Sequence, residues 1–125
     1  MGNINAALGL SQLVEFDKIL EYKRKLAFRY MVTLKDMAGL VSRANLDGYA
    51  STIGEKPNYW LNTILVDNRD EVLMALHADR IHARAAFTPL HMLPMYRKRP
   101  RSHPEMQICE DFFNRAVCLP SGSNL

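Results

Sequence analysis

Cysteine is scarce in this 125-residue sequence, which has only Cys109 and Cys118. Two cannot build a disulfide framework, and no further cysteine or close-set histidine completes a zinc pattern beside them. They read as reduced, mostly buried thiols. Long apolar runs are missing as well: no stretch of about 18 apolar residues occurs, so nothing reads as a membrane-spanning helix. The N-terminus shows no basic segment followed by an apolar one, so no secretory leader is read there and the cytoplasm is the default location. Neither sign of charge dominates. The formal net charge of +3 permits anionic partners without demanding them. P-loop, GxGxxG, HExxH and Ser/His/Asp patterns are all absent. The one adjacent acidic pair that could suggest acid–base work, Glu110–Asp111, falls on a helical stretch where neighbours point in different directions.

What is there has the balance of a folded domain. Hydrophobic residues make up 48% and charged residues 23%, which excludes a disordered or fibrous chain. A chain of this length is one domain, residues 1–125, and folding buries roughly two thirds of its unfolded surface without staples.

The first third reads as one long helix. Ala6, Leu10, Leu13, Phe16, Leu20, Ala27, Tyr30 and Leu34 recur at helical spacing. Asn3 or Asn5 is placed to cap its start, Glu21 and Lys25 form a favourable i,i+4 pair, and Gly39 is the natural stop. Leu8, Ile19, Leu26 and Met31 widen the apolar arc beyond what a surface helix of a small domain needs, which predicts cover on two sides. Residues 40–57 form a connection rich in glycine. Tyr59–Val66 (YWLNTILV) is the best strand, aromatic and β-branched. Asn68 with Glu71 forms a capping-box pattern opening a short helix to about Asp79, with Val72, Leu73 and Leu76 inward. Ile81–Phe87 alternates as a strand, with Ile81, Ala83, Ala85 and Phe87 on one face. Ser102, Pro104 and Glu105 open a third helix with Cys109, Phe112, Phe113 and Ala116 as its buried stripe, and Ala116–Leu119 is a last short strand. The predicted class is α+β: a long N-terminal helix and a small sheet with helices on one face.

The most unusual stretch is Thr88–Arg101 (TPLHMLPMYRKRPR). Its prolines fix the backbone around His91 and Tyr96. Arg97, Lys98, Arg99 and Arg101 suit phosphates, with Tyr96 as a stacking surface, or His91 and Arg84 converge on an anionic small molecule. A solvated basic loop is the plainer alternative. No nucleic-acid-binding motif accompanies the basic run, which argues against a nucleic-acid partner. His77, His82 and His103 have no metal-ligand spacing, and His77 and His103 read as surface residues.

Three stretches in order, NINAALGLSQL (Asn3–Leu13), NYWLNTILV (Asn58–Val66) and ARAAFTPLHMLPMY (Ala83–Tyr96), together with the final CLPSGS (Cys118–Ser123), resemble the C-terminal part of the DegT/StrS family of sugar aminotransferases. The LegC-like branch is the nearest likeness. The resemblance implies a homodimeric, pyridoxal-phosphate-dependent fold whose cofactor lysine lies in a preceding larger domain, along with the cofactor-stacking aromatic residue and the aspartate on the ring nitrogen. That domain is missing from this sequence. Met1-Gly2 stands inside the family's motif, as if an internal methionine served as the start. The family's sugar-nucleotide contacts carry over to Arg84, His91 and Tyr96, and the branch's motif to Trp60 and Asn62. Ala85-Ala86-Phe87 departs from the Pro-Ala-Trp usual in the branch. Tyr59, Trp60 and Leu61 read more simply as core packing.

A pyridoxal phosphate enzyme needs a lysine amine for the cofactor aldehyde and a carboxylate on its ring nitrogen. Lys18, Lys23, Lys25 and Lys35 belong to the long helix, and Lys56 and Lys98 to polar loops. None sits where its pKa is lowered by apolar surroundings. The expectation is therefore a domain that binds no cofactor and is no enzyme on its own. Its uncovered apolar helix should drive a two-fold dimer. The alternative is a binding or regulatory module for an anionic ligand such as a nucleotide sugar, or a partner of a full-length aminotransferase.

Overall fold

The computed structural model describes residues 2–37, 40–42 and 57–123. Helix α1 (Asn3–Leu34) is followed by β1 (Leu40–Ser42), β2 (Asn62–Val66), α2 (Arg69–Ala78) and β3 (Arg84–Ala85). Two short 3-10 turns come next (Leu90–Met92 and Pro94–Tyr96), then α3 (Gln107–Arg115) and β4 (Ala116–Leu119). The class is α+β. The four strands form one antiparallel sheet in the order β1-β2-β4-β3. The last strand in sequence thus lies inside the sheet, with Ile64 opposite Val117 on one side and Ala85 opposite Val117 on the other.

That central placement explains the composition of β4. With neighbours on both edges, Ala116, Val117 and Cys118 are all buried, so the strand reads as an unbroken apolar run rather than an alternating one. Ile64, Val66, Ala83 and Val117 form the core, and Leu34 of α1, Val72, Leu73 and Leu76 of α2, and Leu119 pack against it. The end of α1 and the apolar stripe of α2 share this face of the sheet.

Helix α1 has 32 residues and is about 48 Å long at 1.5 Å per residue. Strands of two to five residues offer at most about 17 Å of sheet along their length. The helix therefore overhangs. Only Leu26 and Ala27 are buried, while Leu8, Leu10, Leu13, Val14 and Phe16 stand in the open. The predicted stripe is real in its second half and uncovered in its first.

Several predicted boundaries move, each for a local reason. The N-cap of α1 is Gly2, without a side-chain bond, so neither Asn3 nor Asn5 caps it. Lys25 does meet Glu21, at 2.6 Å. The proposed stop at Gly39 lies outside the described residues. Strand β2 begins at Asn62 because Tyr59 has φ 49° and the Trp60 amide donates to Asn58 Oδ1 at 3.0 Å, a local turn that competes with strand geometry. Asn68 is the N-cap of α2, but its side chain makes no cap bond, so the capping box does not form. Asp70 and Glu71 instead place negative charge against the first turn.

The predicted strand Ile81–Phe87 shrinks to Arg84–Ala85 because its beginning finishes α2. The Ile81 amide donates to Leu76 O at 2.8 Å and the Arg80 amide to His77 O at 3.0 Å, with Arg80 at φ 61°. This is the paired closure of a Schellman motif. Helix α3 starts at Gln107 rather than near Ser102, since the His103 ring accepts the Glu105 amide at 3.2 Å and holds a bend there. Cys109, Phe112 and Phe113 are half-buried on α3, whereas Ala116 is buried as the first residue of β4. Cys109 and Cys118 are unbridged.

Candidate functional site

The turn at Tyr59–Trp60 lifts the indole out of the strand, leaving Trp60 65% exposed. It meets Phe87, whose ring centroid lies 6.1 Å away with the planes tilted by 33°. The Arg84 guanidinium carbon sits 4.7 Å from the centroid of the same Phe87 ring, a cation–π contact. Arg84 is fixed in turn by β3, opposite Cys118. Trp60 and Arg84 line a cleft of about 290 Å³ with Lys23, His82, Cys118 and Ser121. Its wall is therefore cationic and aromatic.

The floor of this cleft is strapped to α1. Lys23 Nζ donates to Ser121 O at 2.6 Å, and Tyr30 donates its hydroxyl to Pro120 O at 3.0 Å. Burial holds the Tyr30 phenol above its ordinary pKa, with Tyr22 adding to the rise and Arg29 opposing it. Ser121 Oγ accepts from both the amide nitrogen and Nδ2 of Asn62, at 3.0 and 2.9 Å, and donates to Leu119 O at 2.9 Å. Asn62 thus has its side-chain nitrogen committed to closing the end of the sheet. Sequence reasoning missed Lys23, Tyr30 and Ser121; the CLPSGS ending was the available signal for Ser121.

The basic loop forms a second cleft, of about 430 Å³, where His91, Tyr96, Arg99, Arg101, Ser102 and Cys109 come together. The His91 side chain is only 9% exposed and its Nε2 donates to Glu110 Oε1 of α3 at 2.9 Å. The five residues singled out from sequence therefore divide. Trp60 and Arg84 line one cleft, with Asn62 bracing its wall, and His91 and Tyr96 line the other.

Among the described residues, no three His, Cys, Asp or Glu residues are grouped to hold a metal ion. His77, exposed on α2, donates from Nε2 to Ala83 O at 2.7 Å. No helix among the described residues is long and apolar enough to cross a membrane.

Comparison with known proteins gives a consistent result. The profile of the DegT/DnrJ/EryC1/StrS aminotransferase family matches residues 1–125. EpsN of Bacillus subtilis (strain 168), named as a pyridoxal phosphate-dependent aminotransferase, is 33% identical over 130 residues, covering 100% of this chain and 32% of that protein. The GDP-perosamine synthase of Escherichia coli O157:H7 is 32% identical over 128 residues, again 100% of this chain and 32% of that protein. The crystal structure of the aminotransferase TlmJ from Streptoalloteichus hindustanus superposes with a TM-score of 0.82 at 22% identity, covering 96% of this chain and 31% of that one. The chain spans about a third of the length of the relatives it matches.

Proposed function

Because the chain belongs to the DegT/DnrJ/EryC1/StrS aminotransferase family, we propose that its 125 residues are a portion of a sugar aminotransferase architecture that lacks the cofactor lysine, without transaminase activity by themselves. The placement of the amines carries this reading. Lys18, Lys25 and Lys35 face Glu15, Glu21 and Asp36 at the surface. Lys23 is spent on the Ser121 carbonyl, and Lys98 lies exposed in the basic loop. Among the described residues no lysine stands in an apolar pocket opposite a carboxylate, the arrangement pyridoxal phosphate requires. The described residues do not fit the cofactor. Absorbance of the purified chain with pyridoxal phosphate, followed by borohydride reduction and mass spectrometry, tests this. No covalent adduct is expected, and a single trapped lysine would overturn it.

The uncovered first half of α1 supports self-association. Leu8, Leu10, Leu13, Val14 and Phe16 are all exposed there, exposed apolar area of this kind favours association, and a two-fold dimer is the commonest arrangement.

A second reading has its own observation, the Trp60–Phe87–Arg84 stack. Such a cationic, aromatic wall suits an anionic ligand with a planar ring. In this reading the domain binds a nucleotide sugar, with Arg84 and Trp60 in one cleft and His91 and Tyr96 in the other, or it regulates a full-length relative by pairing with it. The relative GDP-perosamine synthase carries a nucleotide sugar in its name. A thermal shift with GDP-sugars that disappears in Arg84→Ala supports this reading, and no shift at millimolar ligand retires it.

A further inference from the structure

We propose that α1 pairs antiparallel with α1 of a second copy of this chain along its outer face, with Glu21 at the two-fold axis. The inference rests on the self-association reading and adds the surface and the register, which that reading leaves open. One side of α1 makes the domain's own contacts. Leu26 and Ala27 are buried, Tyr30 bonds Pro120 and Leu34 packs on the core. At 3.6 residues per turn, Leu10, Val14, Phe28 and Val32 lie on the opposite side, and all four are exposed.

The order of residues along this outer line is self-complementary. Leu10 to Phe28 and Val14 to Val32 are each 18 residues, about five turns, so the two apolar pairs fall on one line. Between them stand Asp17, Glu21 and Lys25, all exposed, with Lys25 Nζ 2.6 Å from Glu21 Oε1. Residue 21 is midway both from Leu10 to Val32 and from Val14 to Phe28. A two-fold axis at that point lays Leu10 against the partner's Val32, Val14 against the partner's Phe28, and Asp17 against the partner's Lys25. The two Glu21 carboxylates that meet at the axis each hold their own Lys25. Parallel pairing in register instead sets Asp17 on Asp17 and Lys25 on Lys25, like charges that oppose association. An isologous interface requires that residue i meet j and j meet i, which this line satisfies over about 33 Å of helix. That symmetry selects a second copy over an unrelated partner.

Oxidative cross-linking and light scattering of the 125-residue chain test the register. E21C places one thiol per copy at the axis, and oxidation is expected to give a disulfide-linked dimer on a non-reducing gel. E15C, whose two thiols lie about 18 Å apart along the paired helices, is too far to bridge and should give no more dimer than wild type. D17K and K25D should each weaken the dimer about tenfold by setting like charges at both symmetric contacts. An equimolar mixture of the two variants should regain the wild-type affinity, because the mixed dimer again opposes unlike charges; a merely structural effect of either substitution is not rescued in this way. A dimer in which E21C and E15C cross-link alike, or whose affinity D17K leaves unchanged, overturns this register and leaves self-association standing. A monomer at micromolar concentration removes self-association and the register with it.

Discussion

Tyr30 on α1 donates its hydroxyl to the carbonyl of Pro120, 90 residues later in the sequence, at 3.0 Å. With the Lys23–Ser121 bond, two helical turns earlier on α1 and one residue later in the tail, this bond ties the long helix to the exit of the central strand. The connection matters because little else of α1 is buried.

Tyr30→Phe removes that donor and leaves a half-buried carbonyl without it. The expected loss is about 1–2 kcal/mol of unfolding free energy, read from urea melts. The pH dependence follows from the direction of the Tyr30 shift. Burial raises the folded-state pKa above the ordinary 10.0, so the neutral phenol stabilises the fold fully below that value. As pH climbs past it, the unfolded chain releases its proton first and stability falls. Wild type should therefore lose stability above pH 10 more steeply than Tyr30→Phe, and parallel alkaline melts of the two proteins would sink the assignment.

Arg80 closes α2 in the left-handed region, at φ 61°, where a side chain clashes with its own backbone and glycine does not. Arg80→Gly is expected to raise stability by about 0.5–1 kcal/mol, visible as a higher urea midpoint with an unchanged slope. A lower midpoint shows that the arginine makes a contact worth more than the strain.

Val117 has no exposed surface and pairs with both Ile64 and Ala85. Val117→Ala leaves a cavity at the centre of the sheet and should lower stability by about 2–3 kcal/mol. In a domain this small that is a large share of the total. The same substitution at Val14, which is exposed on α1, should change the monomer by less than about 0.5 kcal/mol.

Leu10 and Leu13 lie 66% and 68% exposed on the overhanging half of α1. Replacing both with glutamate puts charge on the surface assigned to self-association. Light scattering of the wild type should give a dimer mass at micromolar concentration, and the double variant a monomer mass with unchanged helix content. A monomeric wild type removes the dimer from the reading.

How much was legible in advance depends on the range of the interaction involved. The α1 periodicity, the strand at residues 62–66, the helix inward through Val72, Leu73 and Leu76, and the last strand at Ala116–Leu119 were all readable, because each rests on side-chain spacing within one segment. The missed boundaries share a different cause. At Tyr59, Arg80 and His103 a backbone turn bonded within a few residues overrode a pattern that fitted a longer element. In the clefts, residue types were legible but grouping was not. Nothing in the spacing of Arg84 and His91 reveals that one stacks on Phe87 while the other reaches Glu110 of α3.

By itself the sequence determined the class of fold and the family, because apolar periodicity and the ordered motifs are properties of the chain read locally. Only the tertiary structure decided that β4 lies between β2 and β3, that the first half of α1 stays uncovered, and that the basic loop folds around a cleft. Those outcomes depend on which distant segments come into contact. Such contacts are selected by the burial of shared surface and the pairing of backbone donors across the whole chain, which no local pattern encodes.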